Sequence, residues 1–479
     1  LTRVKCIMKE KILMIQLPHL YEGKERELFF PLGLGYIVKS LQNSGYNVEV
    51  FDIYAGKYKQ EEVIKRLNQI IPKYGIVGIS ALSTQYKYVK WVTKIIRNIN
   101  KEIKIVIGGA LATLSPEIVL RHTDADICVI GEGEITIVEL MENLRGNLSN
   151  VKGIFYKDGK GIVKNSPREY IKDIDTIDFP AWEAFDIEKY INEMKIYHYP
   201  ELRTMNIITA RGCPYSCNFC SKTFSGVRLR SVRNIIEEIK ELKKRFNIQA
   251  IFFNDELVLI NKKRGYELCK ELRKLDIKWV CQGRVNTIDS ELLNLMRKSG
   301  CVAVGFGIES GSQKILNAMN KQITVEQSVK AVKAAVKAGL FPIIQVMFGY
   351  PGEDITTVKE TLSFFKKIPF IPSTGFQFSP TTPLPGTPLW EYAKEKGIID
   401  DEEKFLMKLD VGYSAERILA NFTKWDMETY EKVRNWMRRK VIVNSIIKNP
   451  HLALRKFMKY LHSPRWVMRF AIKASTRLI

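Results

Sequence analysis

The sequence lacks long apolar runs. Its longest, Ile76–Leu82 and Ile103–Ile107, have strand length and fall far short of the roughly 20 residues a membrane-spanning helix needs. The charged opening, 1–10, precedes only another strand-sized stretch, so no cleavable leader is expected. There is no low-complexity tract and no short-period repeat. A hydrophobic content of 46% is enough for packed cores and excludes global disorder. Acidic residues are missing from Lys432 to Ile479, where thirteen Lys and Arg stand unopposed. That stretch supplies thirteen of the 23 net positive charges, so the rest of the chain is only moderately basic. No nucleic-acid module or set of stacking aromatics accompanies it, and no nucleic-acid partner is expected.

The eight cysteines do not form a disulfide framework. Cys6, Cys128, Cys269, Cys281 and Cys301 are scattered, and four of them lie in apolar surroundings that suit small core residues. Three crowd into eight residues, which points to metal binding in a reducing, cytoplasmic setting.

At 479 residues, two or three domains are expected. Strand patterns at 11–17, 48–53, 76–80, 103–107 and 127–130 alternate with helix patterns at 32–44, 61–71 and 88–98. This predicts a doubly wound, Rossmann-like α/β domain over 1–145. Residues 146–200 read as a connector with a hairpin at Lys157–Lys160. A second alternation places strands near 206–210, 250–254, 279–282, 303–307, 343–348 and 375–379, six units of an incomplete (β/α) barrel over 201–400. Residues 401–479 read as a helical region ending in a basic tail.

Cys213, Cys217 and Cys220 form C-x-x-x-C-x-x-C on the loop after the first barrel strand. Thiolates are the usual ligands of iron–sulfur clusters, and three on a four-iron cluster leave one iron open. Structural zinc is the competing reading. It needs a fourth ligand, and the next forty residues hold no Cys or His.

The spacing, with Phe219 before the last cysteine, resembles the signature of the radical S-adenosylmethionine (SAM) superfamily. Further segments at strand ends carry the resemblance: Asp255 in Asn254-Asp255-Glu256, Glu309-Ser310-Gly311, and Gly349-Tyr350-Pro351-Gly352-Glu353. It implies a 4Fe–4S cluster on the three cysteines, SAM bound at the open iron, and a 5′-deoxyadenosyl radical. It also implies SAM contacts from Phe219, Asp255, Arg284, Glu309, Ser310, Gly349 and Pro351, and a reductant such as flavodoxin or ferredoxin under anaerobic conditions.

Small residues also gather at strand ends of the first domain: Leu32-Gly33, Ser80, Ser83-Thr84, Gly108-Gly109 and Gly131-Glu132-Gly133. An open α/β sheet binds ligands there, and small side chains let a large planar cofactor approach the backbone. Fused to such a barrel, the domain resembles the cobalamin-binding subgroup. The D-x-H-x-x-G motif that supplies a cobalt ligand elsewhere is missing, so the lower face of cobalt has no nominated ligand. A second cluster of the methylthiotransferase kind is excluded, because only Cys6 and Cys128 precede the barrel. The resemblance implies a cobalamin-dependent methyltransferase acting on an unactivated carbon of a small-molecule or lipid-like substrate. Its alternative is a radical cyclase, oxidase, dehydratase or rearrangement enzyme, and the reading outside enzymes is a non-catalytic membrane-associated binding protein.

In the tail, Arg465, Arg469, Lys473 and Arg477 recur every four residues beside Trp466, Val467 and Phe470. On a helix this makes a basic face and an apolar face, suited to the inner surface of an anionic membrane or to packing on the barrel.

Overall fold

A computed structural model of the chain describes residues 11–18, 28–196, 198–369, 371, 375–409 and 417–448. The first sheet has seven strands: β1 (Ile12–Gln16), β2 (Val48–Asp52), β3 (Ile76–Ser80), β4 (Lys104–Gly108), β5 (Ile127–Val129), β6 (Ile154–Lys157) and β7 (Ile162–Lys164). Their order is β2-β1-β3-β4-β5-β6-β7, and the first five are parallel. All five β1 residues are buried, as expected of a strand covered by helices on both faces. The sheet does not stop near Arg145. The hairpin expected in the connector becomes β6 and β7, added antiparallel at the edge. Only Ile154 is fully buried there, and the lysine-rich remainder reads as a linker while serving as a charged edge.

The second sheet has six parallel strands in the order β15-β14-β13-β12-β11-β8. They are β8 (Thr204–Ile207), β11 (Ala250–Phe253), β12 (Lys278–Gly283), β13 (Cys301–Glu309), β14 (Phe341–Phe348) and β15 (Phe376–Pro380). Each matches an expected barrel strand, and the open six-unit layout is as read from the sequence. Between β8 and β11 a two-residue ladder, β9 (Ala210–Arg211) with β10 (Arg228–Leu229), cinches the loop that carries the cysteines. The helix that follows, Val232–Phe246, begins at Ser231, whose hydroxyl accepts from Asn234 N. It buries Val232, Ile235, Ile236, Ile239 and Leu242 at helical spacing.

The two sheets are joined by buried hydrogen bonds. Asn206 on β8 exchanges two with the backbone of Phe30, at 2.9 and 3.0 Å, where the chain enters the helix Leu32–Asn43. The helices after the barrel do not form one separate region. Pro388–Glu395 and Glu402–Lys408 return to the first domain, where Trp390, Phe405 and Leu406 join the core that holds Tyr86 and Val89. Met427–Lys448 instead packs on the barrel. The basic tail, 449–479, lies outside the described residues, and no described helix is long and apolar enough to cross a membrane.

Candidate active site

Gly212, at φ +83°, turns the chain out of β9 into the cysteine loop, and an added Cβ there would run into Gly226 O. Cys217 is buried, whereas Cys213 and Cys220 are half-buried. The loop is strapped from outside. Asn218 N donates to Met319 O (2.9 Å), Asn218 Nδ2 to Ala318 O (2.9 Å), and Asn320 Nδ2 to Ser216 O (2.8 Å). Burial pushes the Cys213 thiol up and the Cys220 thiol up to about 12. The Glu256 carboxylate and the neighbouring cysteines add to the effect on Cys220, and Lys321 opposes it. Among the described residues no group of three His, Cys, Asp or Glu side chains is placed to hold a single metal ion.

Arg284, past the end of β12, is brought to this loop. Its guanidinium lies 3.5 Å from the Tyr215 ring centre, Nη1 points at Cys217 Sγ (3.9 Å), and Nη2 donates to Lys321 O. Lys321, which sequence reading missed, is buried with its Nζ 2.8 Å from Glu309 Oε1 and 5.5 Å from the Phe219 ring centre. A lone lysine after a short helix gave no local signal; only the fold carries it to Glu309. Glu309 itself sits at φ +61°, a left-handed conformation costly for a side chain-bearing residue. Ser310 Oγ lies 3.3 Å from Thr361 Oγ1 and accepts from Ser312 N, fixing the turn after β13.

Asp255 faces the backbone, with Oδ1 accepting from Thr209 N (2.7 Å) and Ala210 N (2.8 Å). Burial raises its carboxyl to about 6, against the pull of those amides. It therefore braces the segment that leads into the cysteines. The turn holding Gly349 and Pro351 is closed by Glu353, whose Oε2 accepts from Gly349 N and whose N donates to Tyr350 O. Gly349 is at φ +84° against the Tyr430 ring, so no side chain fits there. Among the described residues, Arg284 Nε and Thr381 Oγ1 are buried without a protein partner. Such atoms suit a polar ligand. Three soft thiolates on one loop, with a guanidinium beside them, fit an iron–sulfur cluster with an open iron.

At the carboxyl ends of the first sheet, a Cβ added at Gly33 or Gly108 would meet nothing within 4 Å. Leu82 is 45% exposed on the same rim, between half-buried Ser80 and the Ser83-Thr84 turn. Gly109, at φ +81°, turns the chain where a Cβ would lie 2.7 Å from Ala81 O. These open positions fit a flat cofactor. The described part of this domain holds one histidine, His122, which ends the helix Pro116–His122 beside Glu403.

Two expected rim contacts have other work. The Glu132 carboxylate is 4% exposed and accepts from Arg211 Nη1 (2.7 Å), Arg228 Nη1 (2.7 Å) and Ile171 N (2.7 Å). Both oxygens are used within the protein, by two guanidiniums from the barrel side and the Ile171 amide. Gly133 is small for packing, since a Cβ there would lie 2.6 Å from Ile37 Cδ1. Glu134 completes the network with Arg211 Nη2 at 2.5 Å. Leu32 is buried, and Gly131 is held at φ +73° with its N donating to Thr113 Oγ1.

Residues 207–365 match the radical SAM superfamily and 25–141 match the B12 binding domain. The chain is 35% identical to an uncharacterized methyltransferase of Pyrococcus horikoshii, covering 76% of this chain and 78% of that one. It is 30% identical to cytidylyl-2-hydroxyethylphosphonate methyltransferase of Streptomyces wedmorensis (78% and 79%). It is 28% identical to anaerobic magnesium-protoporphyrin IX monomethyl ester cyclase of Rubrivivax gelatinosus (87% and 78%). In fold it is similar to a radical SAM methyltransferase of Kitasatospora setae solved with cobalamin and a 4Fe–4S cluster. That likeness has TM-score 0.65 at 16% identity and covers 82% of this chain and 76% of that one.

Proposed function

We propose a reaction for this chain, which belongs to the radical SAM superfamily, in the subgroup that carries a B12-binding domain: methyl transfer to an unactivated carbon of a small-molecule or lipid-like substrate. Its cofactors are a 4Fe–4S cluster, SAM and cobalamin. When bound, the cluster and SAM supply a 5′-deoxyadenosyl radical, and cobalamin carries the methyl group.

Cys213, Cys217 and Cys220 hold the cluster. Arg284, locked over Tyr215 and aimed at Cys217, offsets the negative charge of thiolates brought out of water. The Glu309–Lys321 pair and the Gly349–Glu353 turn wall the SAM pocket, and Arg284 Nε and Thr381 Oγ1 stay available to the ligand. Asp255 positions the strand end that leads into the cysteine loop. Gly33, Gly108 and Gly109 form the cobalamin rim with Ser80, Ser83 and Thr84.

One observation carries the methyl-transfer reading. Arg211, two residues ahead of Cys213, is clamped to Glu132 at the end of β5, so the cysteine loop abuts the rim of the first sheet. Radical generation and methyl supply would then meet at one junction. The cyclase relative supports a second reading, radical chemistry without methyl transfer. Anaerobic reconstitution with iron and sulfide, then SAM and reductant with and without hydroxocobalamin, separates them. Corrinoid-dependent formation of both 5′-deoxyadenosine and S-adenosylhomocysteine supports the first. Deoxyadenosine alone, indifferent to corrinoid, supports the second.

A further inference from the structure

The helix Met427–Lys448 changes character along its outward face. Its inner face buries Tyr430, Arg434, Met437, Val441 and Ser445 at helical spacing. Outward, the first two turns expose Met427 among Glu428, Glu431, Lys432 and Asn435, a mixed surface in which one apolar side chain stands beside carboxylates. The last turns expose Arg439, Lys440, Ile442, Val443 and Ile447 instead. The three aliphatics are 41%, 48% and 72% exposed, and Ile447 is the most exposed large apolar side chain among the described residues. From Lys432 to Lys448 there are six Lys or Arg and no carboxylate, and 449–479 add seven more, again unopposed.

We propose that the carboxyl-terminal end of this helix docks the enzyme on an anionic lipid bilayer. Exposed aliphatics beside cations match the boundary between acyl chains and anionic headgroups. A second copy of the chain would bring like charges together on this face. Nucleic acid would use the cations but leave the aliphatics without a partner.

The position of the patch also sets an orientation. Tyr430, at the start of the helix, donates to Phe348 O at the carboxyl end of β14. Lys448, at its end, donates to Phe365 O (3.0 Å) and Lys366 O (2.9 Å). Those carbonyls close the helix Ile355–Lys367, which runs back from the carboxyl end of β14 to the opposite end of the barrel. The patch therefore lies at the end away from the cysteine loop. Docking there tethers the enzyme with its cofactor-bearing end turned from the bilayer, so it is an anchor and not a substrate entrance.

The test is cosedimentation of the full-length reconstituted protein with phosphatidylcholine vesicles, with and without phosphatidylglycerol. It is run on the wild type, the Ile442→Ser/Ile447→Ser double variant and the Arg439→Gln/Lys440→Gln double variant. All four positions are outside the cofactor sites, and unchanged iron content and circular dichroism confirm the fold. Expected are binding only to the anionic vesicles, weakening with salt, and a loss of about tenfold or more in partitioning in each double variant. No anionic-vesicle binding, or binding that both variants leave unchanged, overturns the proposal. So does displacement of the vesicles by duplex DNA at lower concentration, which assigns the patch to nucleic acid. Self-association abolished by the isoleucine variants without lipid binding likewise overturns it and assigns the patch to a second copy.

Discussion

Arg211 Nη1 lies 2.7 Å from Glu132 Oε1, a buried pair that joins the residue two before Cys213 to the loop after β5. Arg211 Nη2 reaches Glu134, and Arg228 shares Glu132, so four charged groups from two domains close on one another. Burying such charges is costly, and what matters is that every partner is present.

Removing one partner leaves the others buried and unpaired. Arg211→Met and Glu132→Gln are each expected to destabilise the protein by about 3–5 kcal/mol, read as a lower Tm. The Arg211→Met/Glu132→Gln double variant should cost less than the two singles added. Additive losses in this cycle would show that the pair does not act as a unit.

Gly108, which ends β4, and Gly109, which follows it, separate packing from ligand space. Gly108→Ala places a methyl where no protein atom lies within 4 Å, so Tm should hold while corrinoid affinity in an absorbance titration falls about tenfold or more. Gly109→Ala is instead expected to lower Tm by itself, because its φ of +81° and Ala81 O leave no room. Full corrinoid affinity in Gly108→Ala would move the cofactor away from this rim.

Glu353 gives a pH dependence with a definite sign. Burial raises its carboxyl to about 8, well above the range of an exposed glutamate. Its contribution is fully present below the unfolded pKa and is lost as pH rises through about 8. Wild-type stability should therefore fall between roughly pH 5 and pH 8 by up to a few kcal/mol. Glu353→Gln keeps an acceptor for Gly349 N and should flatten that fall. Parallel stability–pH curves for the two proteins would contradict this.

Much of the fold was legible because it is built from buried parallel strands, whose short apolar runs separated by amphipathic helices are a strong local pattern. Ile76–Ser80 and the six barrel strands were readable in this way. The β6–β7 hairpin was readable, but its place at the edge of the first sheet was not, since one covered face leaves half its residues polar. At the site, the cysteine spacing was local and therefore visible. Glu132 sits at a strand end and looked like a cofactor contact, while its partners are 79 and 96 residues away. Lys321 was hidden for the same reason, its role arising only where the fold sets it against Glu309 and Phe219. The amphipathic tail that the sequence suggests lies outside the described residues, but the exposed aliphatics that lead to it are described.

The central claim is that Cys213, Cys217 and Cys220 hold a cluster with one iron open to SAM. Electron paramagnetic resonance of the reduced, reconstituted enzyme, recorded before and after SAM is added, tests it most directly. The expected result is a 4Fe–4S signal whose g values shift with SAM and which is lost in Cys217→Ala. A signal indifferent to SAM, or a full cluster in Cys217→Ala, would contradict the assignment.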